Sequence, residues 1–260
     1  MHKFQENSIE LPLVSIITPS LNQAIFLEKT ILSVLSQDYP AVEHIIIDGG
    51  SNDNTLAILR KYENRIKWIS GPDHGQADAV NKGITMVKGD IIGWLNSDDT
   101  YNQSAISTAV KHFMENHEMI MIYGDAFFIN TDGKSIGKYP TEEFKLERLA
   151  DTCFICQPTV FLKRQIFNDI GVLDTNLHTC MDYEYWIRIG KYYPKNRIAY
   201  IKGTYLANSR MYHENKTSKN RENVYKEAMK TQKKYFGKVS KIWILFFIKE
   251  IIFGISFKIK

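Results

Sequence analysis

Two adjacent carboxylates, Asp98 and Asp99, close the segment Asn96-Ser97-Asp98-Asp99, which directly follows the uninterrupted apolar run 91–95. Acidic side chains at such a tip repel a phosphate, and a divalent cation resolves the conflict. Hard carboxylate oxygens hold Mg²⁺ or Mn²⁺, which then bridges a diphosphate. The same Asp-Asp-Thr sequence also serves as a helix cap, so the pair alone leaves both readings open. Two further apolar runs end in polar groups, at Thr18-Pro19-Ser20-Leu21-Asn22 and at Asp48-Gly49-Gly50-Ser51. In an open parallel sheet, ligands bind beyond the carboxyl ends of the strands, which is where these three clusters fall if the runs are strands.

The elements needed to place them are legible. The runs 13–18, 44–47, 66–69, 91–95 and 119–123 read as strands. Helical spacing appears over 26–36, after Ser51 or Asn52, and over 77–87, 105–113 and 183–189. Alternation of this kind predicts an α/β fold with a mostly parallel sheet and helices on both faces. The run 91–95 has no polar residue and is expected to be central. Asp132-Gly133 predicts a hairpin turn before Tyr139, and 140–180 resists assignment.

Composition bounds the function. A chain of 260 residues with 44% apolar content buries a sizeable core. Its net charge of +4 gives no reason to expect a nucleic-acid partner. The positive charge is concentrated after residue 210, where eleven lysines and one arginine face four glutamates. Three cysteines, Cys153, Cys156 and Cys180, do not suit a secreted disulfide framework, and Cys153-x-x-Cys156 lacks the second ligand pair of a zinc site. Structural thiols in a reduced cytoplasmic compartment are expected. Gln5, Glu6 and Asn7 precede any apolar run, unlike a secretory signal.

The order of the motifs resembles glycosyltransferase family 2, inverting enzymes of the GT-A fold, over about 13–213. Its elements are Val14-Ser15-Ile16-Ile17-Thr18-Pro19-Ser20-Leu21-Asn22, Ile46-Ile47-Asp48-Gly49-Gly50-Ser51-Asn52-Asp53-Asn54-Thr55 and Gly89-Asp90-Ile91-Ile92-Gly93-Trp94-Leu95-Asn96-Ser97-Asp98-Asp99. The stretch from Gly71 to Gly83, with Asp73-His74-Gly75-Gln76-Ala77-Asp78 at its centre, is similar to a subgroup that builds bacterial surface polysaccharides such as O-antigen. The resemblance implies a Rossmann-like GT-A catalytic domain over 10–215. It also implies a nucleotide-sugar donor, a UDP-sugar in most cases, and a saccharide acceptor.

Residue by residue, it implies that Thr18, Pro19, Ser20 and Asn22 line the nucleotide pocket and that Asp48 accepts from the base, or else serves its own turn. Gln76 and Asp78 would meet ribose or donor sugar, with Gly75 allowing close approach. His74 equally suits packing. Asn96 replaces the first acid of the family's D-x-D motif, so Asn96 and Ser97 become donor contacts. The cation then rests on Asp98, assisted by Asp99 and by His213, for which a surface or core position is an equal alternative. Asp182 in Met181-Asp182-Tyr183-Glu184 corresponds to the family's base, although an acid opening a helix also complements the dipole. Gln157 and Glu184 are candidate acceptor contacts; helical geometry sends Glu184 in a different direction from Asp182.

Residues 216–260 form an expected amphipathic helical tail. Its run from Ile242 to Phe253, continuing through Ile255 and Phe257, is interrupted by Lys249-Glu250 and flanked by Lys233, Lys234, Lys238, Lys241, Lys258 and Lys260. Interruption argues against a span, and the basic flanks favour lying on an anionic membrane surface, at the inner face of the cell membrane. A lipid-linked acceptor would suit that place. Docking on the domain or on a second subunit are the alternatives. Two rival functions are a sugar nucleotidyltransferase, which needs a Gly-rich basic phosphate loop absent from 18–22, and a non-catalytic nucleotide-sugar-binding protein.

Overall fold

A computed structural model describes residues 11–253, so Ile255, Phe257, Lys258 and Lys260 lie outside the described residues. The first half alternates strand and helix as the periodicity predicts. It comprises β1 (Val14–Ser20), α1 (Ala24–Leu35), β2 (Val42–Asp48), α2 (Thr55–Lys61), β3 (Lys67–Ser70), α3 (Gln76–Met86) and β4 (Ile91–Trp94). β1 is buried along its whole length and pairs in parallel with both β2 and β4. A strand covered on both faces loses water from every side chain, which is why 14–17 and 45–47 are almost wholly apolar. Gly93 permits a close approach at the centre of β4, where an added Cβ would lie 2.6 Å from Tyr101 Oη and 2.7 Å from Ile16 Cδ1.

The second half comprises β5 (Thr100–Tyr101), α4 (Ala105–Glu115), β6 (Met121–Ile129), β7 (Ser135–Lys138), β8 (Phe161–Lys163), α5 (Ile166–Ile170), α6 (Met181–Tyr192), β9 (Ile198–Arg210), α7 (Lys216–Lys219), α8 (Arg221–Phe236) and α9 (Lys241–Phe253). The nine-stranded sheet has the order β3-β2-β1-β4-β8-β6-β9-β5, with β7 on β6. Only its first half is uniformly parallel. β8 is antiparallel to both β4 and β6, while β6 and β9 run parallel. Six of the nine strands, β1–β4, β6 and β9, therefore run the same way, so the sheet is mostly parallel as expected, and β5, β7 and β8 oppose them. β8, a strand of three residues from the unassigned region, is inserted beside the central strands. The hairpin is found as expected, with Gly133 at φ 88° in the turn between β6 and β7.

α6 covers the sheet near β4 and β8, and Tyr185, Trp186, Ile187 and Ile189 are buried in the principal core. Fully burying one such apolar side chain contributes about 1.5–3 kcal/mol. α8, expected as part of an appended tail, inserts Ala228 into that same core, with Val224, Tyr235 and Phe236 beside it. α9 is fastened to α8 by Trp243 and Phe247 against Tyr225 and by a Glu250–Arg221 ion pair at 2.9 Å. Its other side presents Ile244, Leu245, Phe246, Ile248 and Ile251 to solvent. No helix among the described residues is long and apolar enough to cross a membrane.

Candidate active site

The tips of β1, β2 and β4 meet in one cleft, and hydrogen bonds join them. Asn22 has φ 53°, the left-handed region that asparagine tolerates better than most residues. There its amide donates to Ser51 Oγ at 2.7 Å, and its Oδ1 accepts from the Asn52 amide at 2.9 Å. Asp48, 1% exposed, accepts from the Gly50 and Ser51 amides at 3.2 and 3.0 Å and from Ser70 Oγ at 2.6 Å. Ser51 Oγ donates to its other oxygen. Asp48 thus shapes its own loop, and Ser51 serves that loop instead of capping α2. Ser20 ends β1 with a buried hydroxyl that has no partner among the described residues. Thr18 is not at the surface of the cleft: it is fully buried, with Oγ1 2.9 Å from Nε2 of His44, whose pKa burial lowers to about 3. Pro19 lies in the same buried strand.

The loop before α3 forms the next wall. Gly75 caps the helix with φ 109°, a conformation that disfavours any side chain. Asp78 accepts from the His74 amide at 3.0 Å and pairs with Lys82 at 3.1 Å, complementing the positive end of α3. Gln76 reaches across the cleft. Its Nε2 donates to Asn96 Oδ1 at 2.7 Å, and its Oε1 accepts from Lys216 Nζ at 3.2 Å. Trp94 Nε1 donates to the same Asn96 oxygen at 2.9 Å. Asn96 therefore replaces an anion with a neutral acceptor already shared by two donors. Ser97 is buried and offers its carbonyl to Thr30 Oγ1 at 2.8 Å.

The acid pair divides into two environments. Asp99 is 4% exposed; its Oδ1 accepts from the Arg210 amide at 2.8 Å, and Asn96 Nδ2 stands 3.5 Å from its Oδ2. Asp98 is less enclosed, and its Oδ2 accepts from the Tyr212 hydroxyl at 3.0 Å. Burial pushes both carboxyls above the usual carboxylate range, Asp99 more strongly because the charge of Asp98 adds to burial. Arg210 does not neutralise them by direct contact. Its guanidinium donates to the carbonyls of Asp98, Asn130 and Thr131 at 2.7, 2.6 and 3.1 Å and stacks 4.6 Å from the Phe26 ring centroid.

This donor set fits a divalent cation in part. Two adjacent hard-oxygen side chains with no direct ion-pair partner among the described residues suit Mg²⁺ or Mn²⁺, but no group of three ligating side chains occurs among those residues. Magnesium often takes one or two carboxylates and completes its shell with water and substrate phosphate. His213 is not brought to the pair. Its side chain is 85% exposed, with Nδ1 3.5 Å from Glu214. Along extended chain, alternate residues share a face, so Arg210 and Tyr212 turn inward together while His213 turns out.

Asp182 lies in the first turn of α6. Its Oδ1 accepts from the Tyr183 amide at 2.8 Å, which fixes the carboxylate plane, and burial raises its pKa while the Lys216 cation opposes the shift. The loop 153–157 borders both this acid and the acid pair. Burial chiefly, and then the charges of Asp99, Cys153 and Asp182, raise the Cys156 thiol, while burial pushes Cys153 up to about 12. All three cysteines are free. Gln157 is 8% exposed and donates from Nε2 to the Trp94 carbonyl at 2.6 Å, supporting the end of β4 from beneath. Glu184 is not in the cleft. It is 1% exposed and bound to Arg188 at 2.8 Å and to the Tyr235 hydroxyl, so its assignment as an acceptor contact is corrected. Arg210, Tyr212 and Lys216, which contact Asp98 or Gln76, are residues that the motifs pass over; the first two precede His213 by three residues and by one.

Comparison with known proteins agrees with this geometry. The family model described as "Glycosyl transferase family 2" matches residues 15–171, more than half of the chain. Chondroitin synthase of Pasteurella multocida is 30% identical over 73% of the chain, which spans 20% of that protein. An uncharacterised glycosyltransferase of Rickettsia prowazekii is 30% identical over 70% of this chain and 60% of its own length. A PGL/p-HBAD biosynthesis glycosyltransferase of Mycobacterium bovis is 30% identical over 68% of this chain and 69% of its own. Among solved structures, S. aureus TarS 1–349 in complex with UDP-GlcNAc superposes with TM-score 0.68 at 19% identity, covering 95% of this chain and 76% of that one. The mannosyltransferase PcManGT of Pyrobaculum calidifontis, in complex with GDP-Man and Mn²⁺, gives 0.66 at 14% identity over 93% and 70%. The ordered strand tips, the acid pair and the family match together make this chain a member of glycosyltransferase family 2, with a GT-A fold.

Proposed function

We propose that this protein transfers a hexose or N-acetylhexosamine from a UDP-sugar to a saccharide hydroxyl, inverting the anomeric carbon, in the synthesis of a bacterial surface polysaccharide. The observation that carries the reading is Asp182, a carboxylate with one oxygen held by its own helix and its pKa raised, bordering the loop that also faces Asp99. Asp182 takes the acceptor hydroxyl proton as the acceptor oxygen bonds to C1, and the C1–O bond breaks with its electron pair leaving on UDP. Ser20, Asn22 and the Asp48 loop shape the nucleoside wall, while Gln76, Asn96 and Ser97 form the donor's other side. Asp98, with Asp99 behind it, would hold Mg²⁺ or Mn²⁺, which when bound offsets the charge of the departing diphosphate. Lys216, bonded to Gln76, adds a cation on the same side of the cleft.

The test is release of UDP from a panel of UDP-sugars with and without Mn²⁺, on wild type and Asp182→Asn. Transfer or hydrolysis that falls by about 10²-fold or more in the variant, with UDP affinity kept, is expected for loss of a general base. Near-normal turnover removes Asp182 from the role.

The acceptor is proposed to be lipid-linked and the protein to lie on the membrane surface. Support comes from the outward side of α9, where Leu245 is 62% and Ile251 60% exposed, with Lys241 and Lys249 also exposed. Apolar area beside cations matches an anionic lipid surface, each lysine adding about 1 kcal/mol near the bilayer.

A further inference from the structure

α6, the helix that bears Asp182, does not cap itself. Cys180 stands at its N-cap position with no side-chain hydrogen bond to the first turn. The turn that opens the helix is held instead by a carboxylate from α8. Glu227 Oε1 accepts from the His178 amide at 2.9 Å; Oε2 accepts from the Thr179 amide and hydroxyl, both at 2.7 Å, and from the Cys180 amide at 3.0 Å. Three successive backbone amides thus converge on one anion, and Asp182 follows two residues after the last of them. Hydrogen bonds to an ionised acceptor are about twice as strong as neutral ones, and an anion at this end of a helix also meets the positive end of its dipole.

Glu227 is itself held in place. The next residue, Ala228, is fully buried, and one turn further on Gln232 Nε2 donates to Tyr183 Oη at 3.3 Å. The gripped turn also reaches the donor side, since a Cβ built on Gly75 would lie 3.8 Å from His178 Nδ1. We infer that Glu227 is a positioning residue for the transfer reaction: by fixing the turn 178–180 it sets the direction in which Asp182 leaves α6. This inference rests on the reading of Asp182 as base. It also makes α8 part of the catalytic apparatus, although α8 lies in the lysine-rich segment.

Glu227→Ala and Glu227→Gln test it, assayed for donor turnover, UDP binding and melting temperature. A displacement of about 1 Å at a reacting group costs about 10²-fold in rate. The alanine variant is therefore expected to lose about 10- to 100-fold in kcat, with donor KM within about threefold of wild type. Glutamine keeps the size and one acceptor oxygen, so it falls between the two, and it carries the test if the alanine variant fails to fold.

The pH profile separates positioning from a merely structural role. As the turn loosens, water reaches Asp182, the raised pKa relaxes downward, and the acid limb of kcat moves to lower pH. The other groups facing Asp182, namely Tyr139, Cys153, Cys156, Cys180 and Lys216, keep their side chains in both variants, and Cys180 and Lys216 lose the charge of Glu227 equally in the two. Wild-type kcat and an unmoved acid limb in both variants, normalised to folded protein, would overturn the inference. Asp182→Asn is measured alongside. If it keeps turnover, the base reading falls and this inference with it; if it is inactive while both Glu227 variants match wild type, the positioning inference falls alone.

Discussion

Replacing Asn96 by aspartate restores a third carboxylate to the tip of β4 and tests whether this cleft is built for a cation. Aspartate still accepts from Gln76 Nε2 and Trp94 Nε1, which now lie 2.7 and 2.9 Å from Asn96 Oδ1, so those contacts survive. The change falls on the other side of the group, where the Asn96 amide faces Asp99 Oδ2 at 3.5 Å. Above the pH range in which Asp99 keeps its proton, an oxygen in its place sets two anions at that spacing. Coulomb's law gives a repulsion of about 5 kcal/mol at an effective dielectric of about 20 and about 1 kcal/mol if water screens the pair fully. Without metal, Asn96→Asp is therefore expected to be less stable by an amount between those limits. At roughly 2–4 °C per kcal/mol for a domain of this size, melting falls by at least about 2 °C. A divalent cation reverses the sign, because the third anion becomes a ligand or a neighbour of opposite charge. The rise in melting temperature on adding Mn²⁺ to chelator-treated protein is then larger in the variant than in wild type, through preferential binding to the folded state. Equal Mn²⁺-induced rises in the two proteins, with the same melting temperature in chelator, would refute the cation site.

Asp99→Asn keeps an acceptor for the Arg210 amide and removes the more strongly perturbed acid. Because burial and Asp98 raise the Asp99 pKa, the folded protein retains a proton that the unfolded chain releases from pH about 4 upward, so stability falls as pH rises through that window. Relative to wild type in chelator, the variant is expected to gain stability as pH is raised from 4 to 7; a difference independent of pH contradicts the account. The double substitution of Leu245 and Ile251 by glutamate, on the outward side of α9, is expected to abolish sedimentation with phosphatidylglycerol vesicles while leaving turnover on a soluble acceptor intact. Unchanged sedimentation rejects the lipid surface. Gly93→Ala pushes a methyl group against Tyr101 and Ile16 in the central sheet and is expected to cost about 1–3 kcal/mol in a denaturant titration.

The strand tips were legible because a buried parallel strand must be apolar until it leaves the sheet, so the first polar residues after 91–95 or 44–47 mark the rim of a cleft. The region 140–180 was not legible for the opposite reason. Its contribution to the sheet is three residues, Phe161–Lys163, set among 3₁₀ turns, too short for any period to appear. β9 was missed because Lys202, Gly203 and Thr204 interrupt its apolar character, and Gly203 at φ 80° lies within an irregularity in the pairing with β6.

At the site, residue type carried less information than direction. His213 has the chemistry of a ligand and turns outward, while Tyr212, its neighbour, reaches Asp98. Glu184 has the chemistry of a base and faces Arg188 and Tyr235, two positions along α6 from Asp182. On a helix two residues differ by about 200° in direction, so the two acids of such a pair do not face the same way. Glu227 lay beyond both kinds of reasoning. Four glutamates among the basic residues after 210 belong to no motif, yet one of them holds amides 47 to 49 residues earlier in the chain. A contact of that separation leaves no local pattern, since the turn it stabilises and the helix that supplies it each look ordinary alone.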